Sequence, residues 1–114
     1  MEMKPVQALD LWRGAIVESV RRDAPDLSAR QMAVLLTIYL SPPPHTVRGL
    51  AATLNVSKPA ITRALDRLSE YGLLKRKVDD ADRRSVLVQR TVKGSVFLRE
   101  FGDIIVGAAD GNAA

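Results

Sequence analysis

The side chains that could do chemistry here are cations and hydroxyls, and they gather in two short stretches. Ser57, Lys58, Pro59, Thr62 and Arg63 lie close together, with Arg67 one helical turn further on; Asp82, Arg83 and Arg84 form the second group. Such groups suit an anionic polymer. Arginine offers two donors to a guanine edge, threonine meets a thymine methyl or a phosphate, and an arginine on a protruding turn fits the narrow minor groove. Other chemistry is poorly served. The chain has no cysteine, which excludes disulfides, zinc–thiolate centres and thiol nucleophiles. A single histidine, His45, lies in a proline-rich loop and cannot build a multi-histidine metal site. No glycine loop cradles a phosphate, so neither an enzyme, nor a metal site, nor a cofactor is expected.

The charge supports the same partner. The 114 residues carry a formal net charge of +4, and residues 57–100 hold eleven basic against six acidic groups, while residues 1–56 are nearly balanced at six against five. A localised basic stretch is a stronger nucleic-acid signal than net charge alone. The longest apolar run, Met32 to Leu40, is far short of a bilayer span. No secretory signal pattern opens the chain, so no membrane association and a cytoplasmic location are expected.

Five helices and one hairpin must position these residues. Val6 to about Asp23 reads as a helix with Leu9, Trp12, Ile16 and Val20 on one apolar stripe, stopped by Pro25. Ser28 caps a second helix running to about Leu40, apolar nearly all round and expected at the buried centre. Thr46 starts a short third helix carrying Val47, Leu50, Ala51 and Leu54 inward. Asn55, Val56 and Ser57 form the turn, with Asn55 suited to a left-handed conformation. Ser57 caps the fourth helix, which ends at Gly72. After Gly72 the apolar period changes from 3.6 to 2, giving strands over 73–78 and 85–91 around a polar tip, Asp79 to Arg84. A fifth helix over about 92–109 buries Phe97, Phe101, Ile104 and Ala108, and the tail from Asp110 is expected to fray. The fold class is mainly α with a small β-hairpin.

On the fourth helix Ile61, Ala64, Leu65 and Leu68 cluster as the core face. The opposite face carries Pro59, Thr62, Arg63, Asp66 and Glu70. Cations in the first two turns have no reason of their own at a helix N-terminus, which already favours anions; a phosphate or base edge supplies one. The plainer reading makes Arg63–Asp66 and Arg67–Glu70 surface ion pairs of about 0.2–0.5 kcal/mol each. In the hairpin, Asp82 is placed to orient the Arg84 guanidinium by a charge-assisted hydrogen bond, and the plainer reading is a solvated turn that blunts a sheet edge.

The run Thr46-Val-Arg-Gly-Leu-Ala-Ala-Thr-Leu-Asn-Val-Ser-Lys-Pro-Ala-Ile-Thr-Arg-Ala-Leu-Asp-Arg-Leu68, then Tyr71-Gly-Leu-Leu-Lys-Arg76, then Asp79 to Gly94 with its Asp-Arg-Arg and Val-x-x-Thr-x-x-Gly patterns, resembles the winged helix-turn-helix of MarR-type transcriptional regulators. The resemblance implies five helices plus a two-stranded wing, with the fourth helix in the major groove and the wing arginine in the minor groove. It marks Ser57, Lys58, Pro59, Thr62, Arg63, Asp82 and Arg84 as contacts; Thr46, Arg48, Arg67 and Arg83 complete the expected DNA-binding set. It also implies a dimer. One domain over 1–114 is expected, with 28–92 as the DNA-binding core, 6–24 and 93–109 as dimerisation helices, and Leu9, Trp12, Ile16, Phe97, Phe101 and Ile105 as the interface.

Three positions depart from the family pattern. Arg90 stands where an apolar residue is usual, on the strand face of Val86 and Val88, and is expected to snorkel or to pair with a carboxylate. Gly49 replaces the acid that would complete a capping box with Thr46. Only twenty residues follow Gly94, so the helices against which the family's small-molecule pocket lies are curtailed, and an effector is a weaker expectation than DNA. The expected function is a homodimeric, sequence-specific repressor acting on a pseudo-palindromic operator. A winged-helix module for protein partners is the competing class, but it would expose an apolar or acidic face on the fourth helix; an architectural DNA-binding protein without ligand response is the other alternative.

Overall fold

In the computed structural model, which describes residues 2–113, the order is α1 (Pro5–Arg21), α2 (Ala29–Leu40), α3 (Val47–Leu54), α4 (Lys58–Glu70), β1 (Leu74–Val78), β2 (Val86–Arg90) and α5 (Val92–Ala113). This is the expected five helices and one antiparallel hairpin, with Leu74 opposite Arg90 and Val78 opposite Val86. The contacts divide the chain into two compact units, one of residues 27–96 and one of 1–26 with 97–114.

Within residues 27–96 the core is built on α2, whose Val34, Leu35 and Ile38 are fully buried. Against it lie Leu50 of α3, the Ile61, Ala64, Leu65 and Leu68 face of α4, and Leu73, Leu74 and Val88 of the hairpin. Each helix start is fixed locally. Ser28 Oγ accepts the Gln31 N–H at 3.1 Å while Gln31 Oε1 accepts the Ser28 N–H at 2.9 Å, so two unpaired amides are satisfied reciprocally. Thr46 Oγ1 accepts from Gly49 N at 3.0 Å, and Ser57 Oγ from Ala60 N at 3.2 Å.

The helix ends obey the same economy. Asn55, at φ 55°, and Gly72, at φ 75°, take the left-handed conformation expected of them. Behind Gly72 the Leu73 N–H reaches Leu68 O at 3.0 Å and the Gly72 N–H reaches Ser69 O at 2.9 Å, a pair of bonds that closes α4 and turns the chain into β1. The strand before α5 is held too: Val88 N donates to His45 O at 2.9 Å, and Thr46 bridges to Leu87. The start of α3 is thereby fastened to β2 one residue from the hairpin turn.

Arg90 does neither thing expected of it. Its Nε donates to Ile38 O at 2.9 Å and its Nη2 to Ser41 O at 3.0 Å, with the guanidinium 5.8 Å from the Tyr39 ring centre. It finds the carbonyl end of α2 instead of a carboxylate, a favourable site for a cation because the helix dipole is negative there.

In the other unit the apolar stripe of α1 is not core. Leu9 is 68% exposed and Trp12 50%, and Ile16 and Val20 are also exposed; Ala15 is the buried residue of the helix. Trp12 meets Phe101 edge-on at 6.5 Å, and Arg22 lies 5.0 Å over Phe97 and 3.7 Å from Glu100. Phe97 and Phe101 are buried in this way within the protomer. Of the residues expected at a dimer interface, these two are covered within the protomer, whereas Leu9, Trp12 and Ile16 are exposed and Ile105 is half-buried. The tail expected to fray from Asp110 is helical to Ala113. No helix among the described residues is long and apolar enough to cross a membrane.

Candidate nucleic-acid interface

The N-terminal turn of α4 is the centre of the site. With five apolar residues buried on one face, Lys58, Pro59, Thr62, Arg63, Asp66 and Arg67 are left exposed on the rest. Ser57 Oγ is occupied as an acceptor by the Ala60 N–H, which leaves its hydroxyl hydrogen to donate outward. Pro59, in the first turn, carries no amide hydrogen, and the Ile61 N–H is already taken by Ser57 O at 3.2 Å. Attraction for an anion at this helix end therefore rests chiefly on the Lys58 side chain and the Ser57 hydroxyl.

A cleft of about 660 Å³ opens beside this turn, lined by Thr46, Val47, Arg48, Lys58, Asp82, Arg84, Ser85 and Val86. Three cations from three different elements meet there: Arg48 from α3, Lys58 from α4 and Arg84 from the hairpin. The Thr46–Leu87 bridge explains the convergence, because it brings the start of α3 to β2 beside the hairpin turn. The cleft thus unites Thr46, Arg48, Lys58, Asp82 and Arg84 of the expected set. Ser57, Pro59, Thr62, Arg63 and Arg67 lie along α4 outside its lining, and Arg83 is on the hairpin tip.

The tip is closed by its own carboxylates. Asp79 Oδ1 accepts from Ala81 N at 2.9 Å and Asp82 Oδ1 from Arg84 N at 3.1 Å, while Ser85 N donates to Asp82 O at 2.9 Å. Asp82 therefore orders the turn through the Arg84 backbone. Its oxygen stands 3.7 Å from Arg84 Nε, too far for the expected hydrogen bond to the guanidinium. The Arg84 side chain is 96% exposed.

The two arginines of α4 differ. Arg67 binds Glu70 at 3.2 Å and lies 5.9 Å over the Tyr71 ring, so for this residue the plainer reading, a surface ion pair, describes the geometry. Arg63 makes no ion pair with any described residue. Asp66, its candidate partner, is held instead by Arg76 of β1 at 2.7 Å. Arg76, Val47, Ser85 and Val86 were not anticipated as part of this surface. The signal for Arg76 lay in strand alternation: it lies two residues after buried Leu74 and pairs with buried Val88.

A sequence model described as the MarR family matches residues 26–85. The chain belongs to the MarR family. Its fold agrees with solved MarR-type structures. A mutant of MepR from S. aureus has a TM-score of 0.78 at 19% identity, covering 96% of this chain and 82% of that one. A second MepR mutant, bound to an oligodeoxyribonucleotide, has a TM-score of 0.78 at 20% identity, covering 91% and 74%. CouR from Rhodococcus jostii, bound to p-coumaroyl-CoA, has a TM-score of 0.65 at 27% identity, covering 90% and 69%. The MarR-type fold makes α3 and α4 the helix-turn-helix of this chain and the β1–β2 hairpin its wing.

Proposed function

We propose that this MarR-family chain binds duplex DNA sequence-specifically as a homodimer and represses transcription by occluding a promoter. The N-terminal turns of α4 read the major groove, with Arg63 offered to a guanine edge and Thr62 to a thymine methyl or phosphate. Arg84 at the wing enters the adjacent minor groove. The observation that carries the reading is the cleft where Arg48, Lys58 and Arg84 converge, together with Arg63 standing clear of any described carboxylate. Support also comes from the MepR mutant bound to an oligodeoxyribonucleotide. The homodimer is supported by the exposed apolar face of α1, where Leu9, Trp12, Ile16, Val17 and Val20 offer more apolar surface than a monomer of this size ordinarily leaves wet.

The reading is tested by selecting bound sites from a random duplex library and measuring affinity for the selected site against salt. A pseudo-palindrome is expected, with half-sites about one helical turn apart. If each protomer neutralises about four phosphates, the log–log salt slope is about −7. Binding that ignores salt, or a library that yields no preferred site, overturns it.

A further inference from the structure

α4 carries two carboxylates, Asp66 and Glu70, and each is held by an arginine other than Arg63. Glu70 is bound by Arg67 of the same helix at 3.2 Å. Asp66 is bound from outside the helix, by Arg76 Nη1 at 2.7 Å. Asp66 stands three residues after Arg63 and four after Thr62, so all three share a stretch of one helix surface. An unoccupied Asp66 would do two things to that surface: it would offer Arg63 a local ion-pair partner, and it would present a negative charge where a phosphate or base edge is to approach.

Arg76 is well placed to prevent both. It enters from β1, two residues after buried Leu74 and paired with buried Val88, and its side chain is 33% exposed. The strand itself is fixed to the end of α4 by the Gly72 turn and its Leu73–Leu68 bond. The guanidinium is therefore delivered to Asp66 by a short, constrained stretch of chain, with little side-chain freedom left to lose.

We propose that Arg76 is a positioning residue for the recognition surface: by occupying Asp66 it keeps Arg63 available to DNA and masks a carboxylate that would repel the duplex. The proposal rests on the DNA-binding reading given above. It predicts that the cost of losing Arg76 is the cost of releasing Asp66, and so disappears when Asp66 is neutral.

The experiment is a double-mutant cycle on the duplex selected by the wild-type chain, with affinities measured at fixed salt and folding followed by circular dichroism. Arg76→Gln is expected to weaken binding about tenfold. Asp66→Asn is expected to bind at least as tightly as wild type, and Asp66→Asn with Arg76→Gln to match Asp66→Asn within about twofold. Arg76→Lys, which keeps the charge, should recover most of the loss in the Asp66 background. A full Arg76→Gln loss that persists beside Asp66→Asn overturns the proposal, because Arg76 would then act on the duplex or on the fold directly. If Arg76→Gln does not fold, comparing Asp66→Asn with and without it decides the same question. Failure of the wild type to select any duplex instead overturns the DNA-binding reading, and is seen before the cycle begins.

Discussion

Tyr39 Oη reaches the carbonyl oxygen of Leu73 at 2.6 Å, across the space that a side chain on Gly94 would fill. The same hydroxyl accepts the Thr91 N–H at 2.9 Å, and Thr91 Oγ1 in turn accepts from Gly94 N at 2.9 Å. The Thr-x-x-Gly pattern after the wing thus has two physical meanings. Thr91 caps α5, and Gly94 gives α2 room to bind the chain leaving α4.

Gly94→Ala is therefore expected to destabilise the fold by about 2–3 kcal/mol through overpacking, read from denaturant or thermal unfolding. A new Cβ would overlap both Tyr39 Oη and the Leu73 oxygen. Tyr39→Phe removes one of these atoms, so the double variant should lose less than the sum of the singles. Strictly additive losses would count against a steric origin.

Arg90→Met keeps an apolar stem and deletes the donors to Ile38 O and Ser41 O. Ile38 O loses its donor and Ser41 O keeps only its contact with His45 Nε2 at 3.1 Å, at a cost of about 1 kcal/mol after allowing for partial exposure. The melting temperature should fall by several degrees. No change in stability would show that the cap contributes nothing.

Arg63→Ala should lose about 1–3 kcal/mol on the selected duplex and relax the preference at one base pair. Binding to unrelated duplex should change far less. A uniform loss across sequences would reassign Arg63 to the phosphate backbone.

Arg84→Ala should weaken binding more where the flank is A/T-rich than where it is G/C-rich, since a narrow minor groove concentrates negative potential. Titrations on paired duplexes differing only in the flanks measure this. Equal losses on both would remove the minor-groove assignment.

Leu9→Lys tests the dimer without touching the core, because Leu9 is exposed on α1. The molar mass measured in solution should fall from two chains to one, with little change in the far-ultraviolet spectrum. A wild type that is monomeric at working concentrations would refute the dimer outright.

Much of the fold was legible from local rules. Ser28, Thr46 and Ser57 cap their helices, Asn55 and Gly72 take left-handed turns, and the period change after Gly72 marks the wing. What escaped was long-range. Helical spacing offered Arg63 as the partner of Asp66, since three-residue neighbours are visible in sequence and a strand ten residues away is not. Arg90 went to backbone carbonyls of a helix far earlier in the chain, and carbonyls carry no sequence signal at all. Phe97 and Phe101 looked like interface because their burying partners, Arg22 and Trp12, are distant and only one of them is apolar. The candidate site was legible as a set of residue types, but the convergence of Arg48, Lys58 and Arg84 needed the bridge between Thr46 and Leu87 to become visible.

That bridge, with the Val88–His45 bond beside it, fastens β2 close to the turn, while the bonds of Asp79 and Asp82 close the turn on itself. Strand and turn are thus held by different bonds. On the proposed DNA-binding reading, grafting a turn of different length or sequence between Val78 and Val86 is therefore expected to retune groove preference while the helices keep their packing.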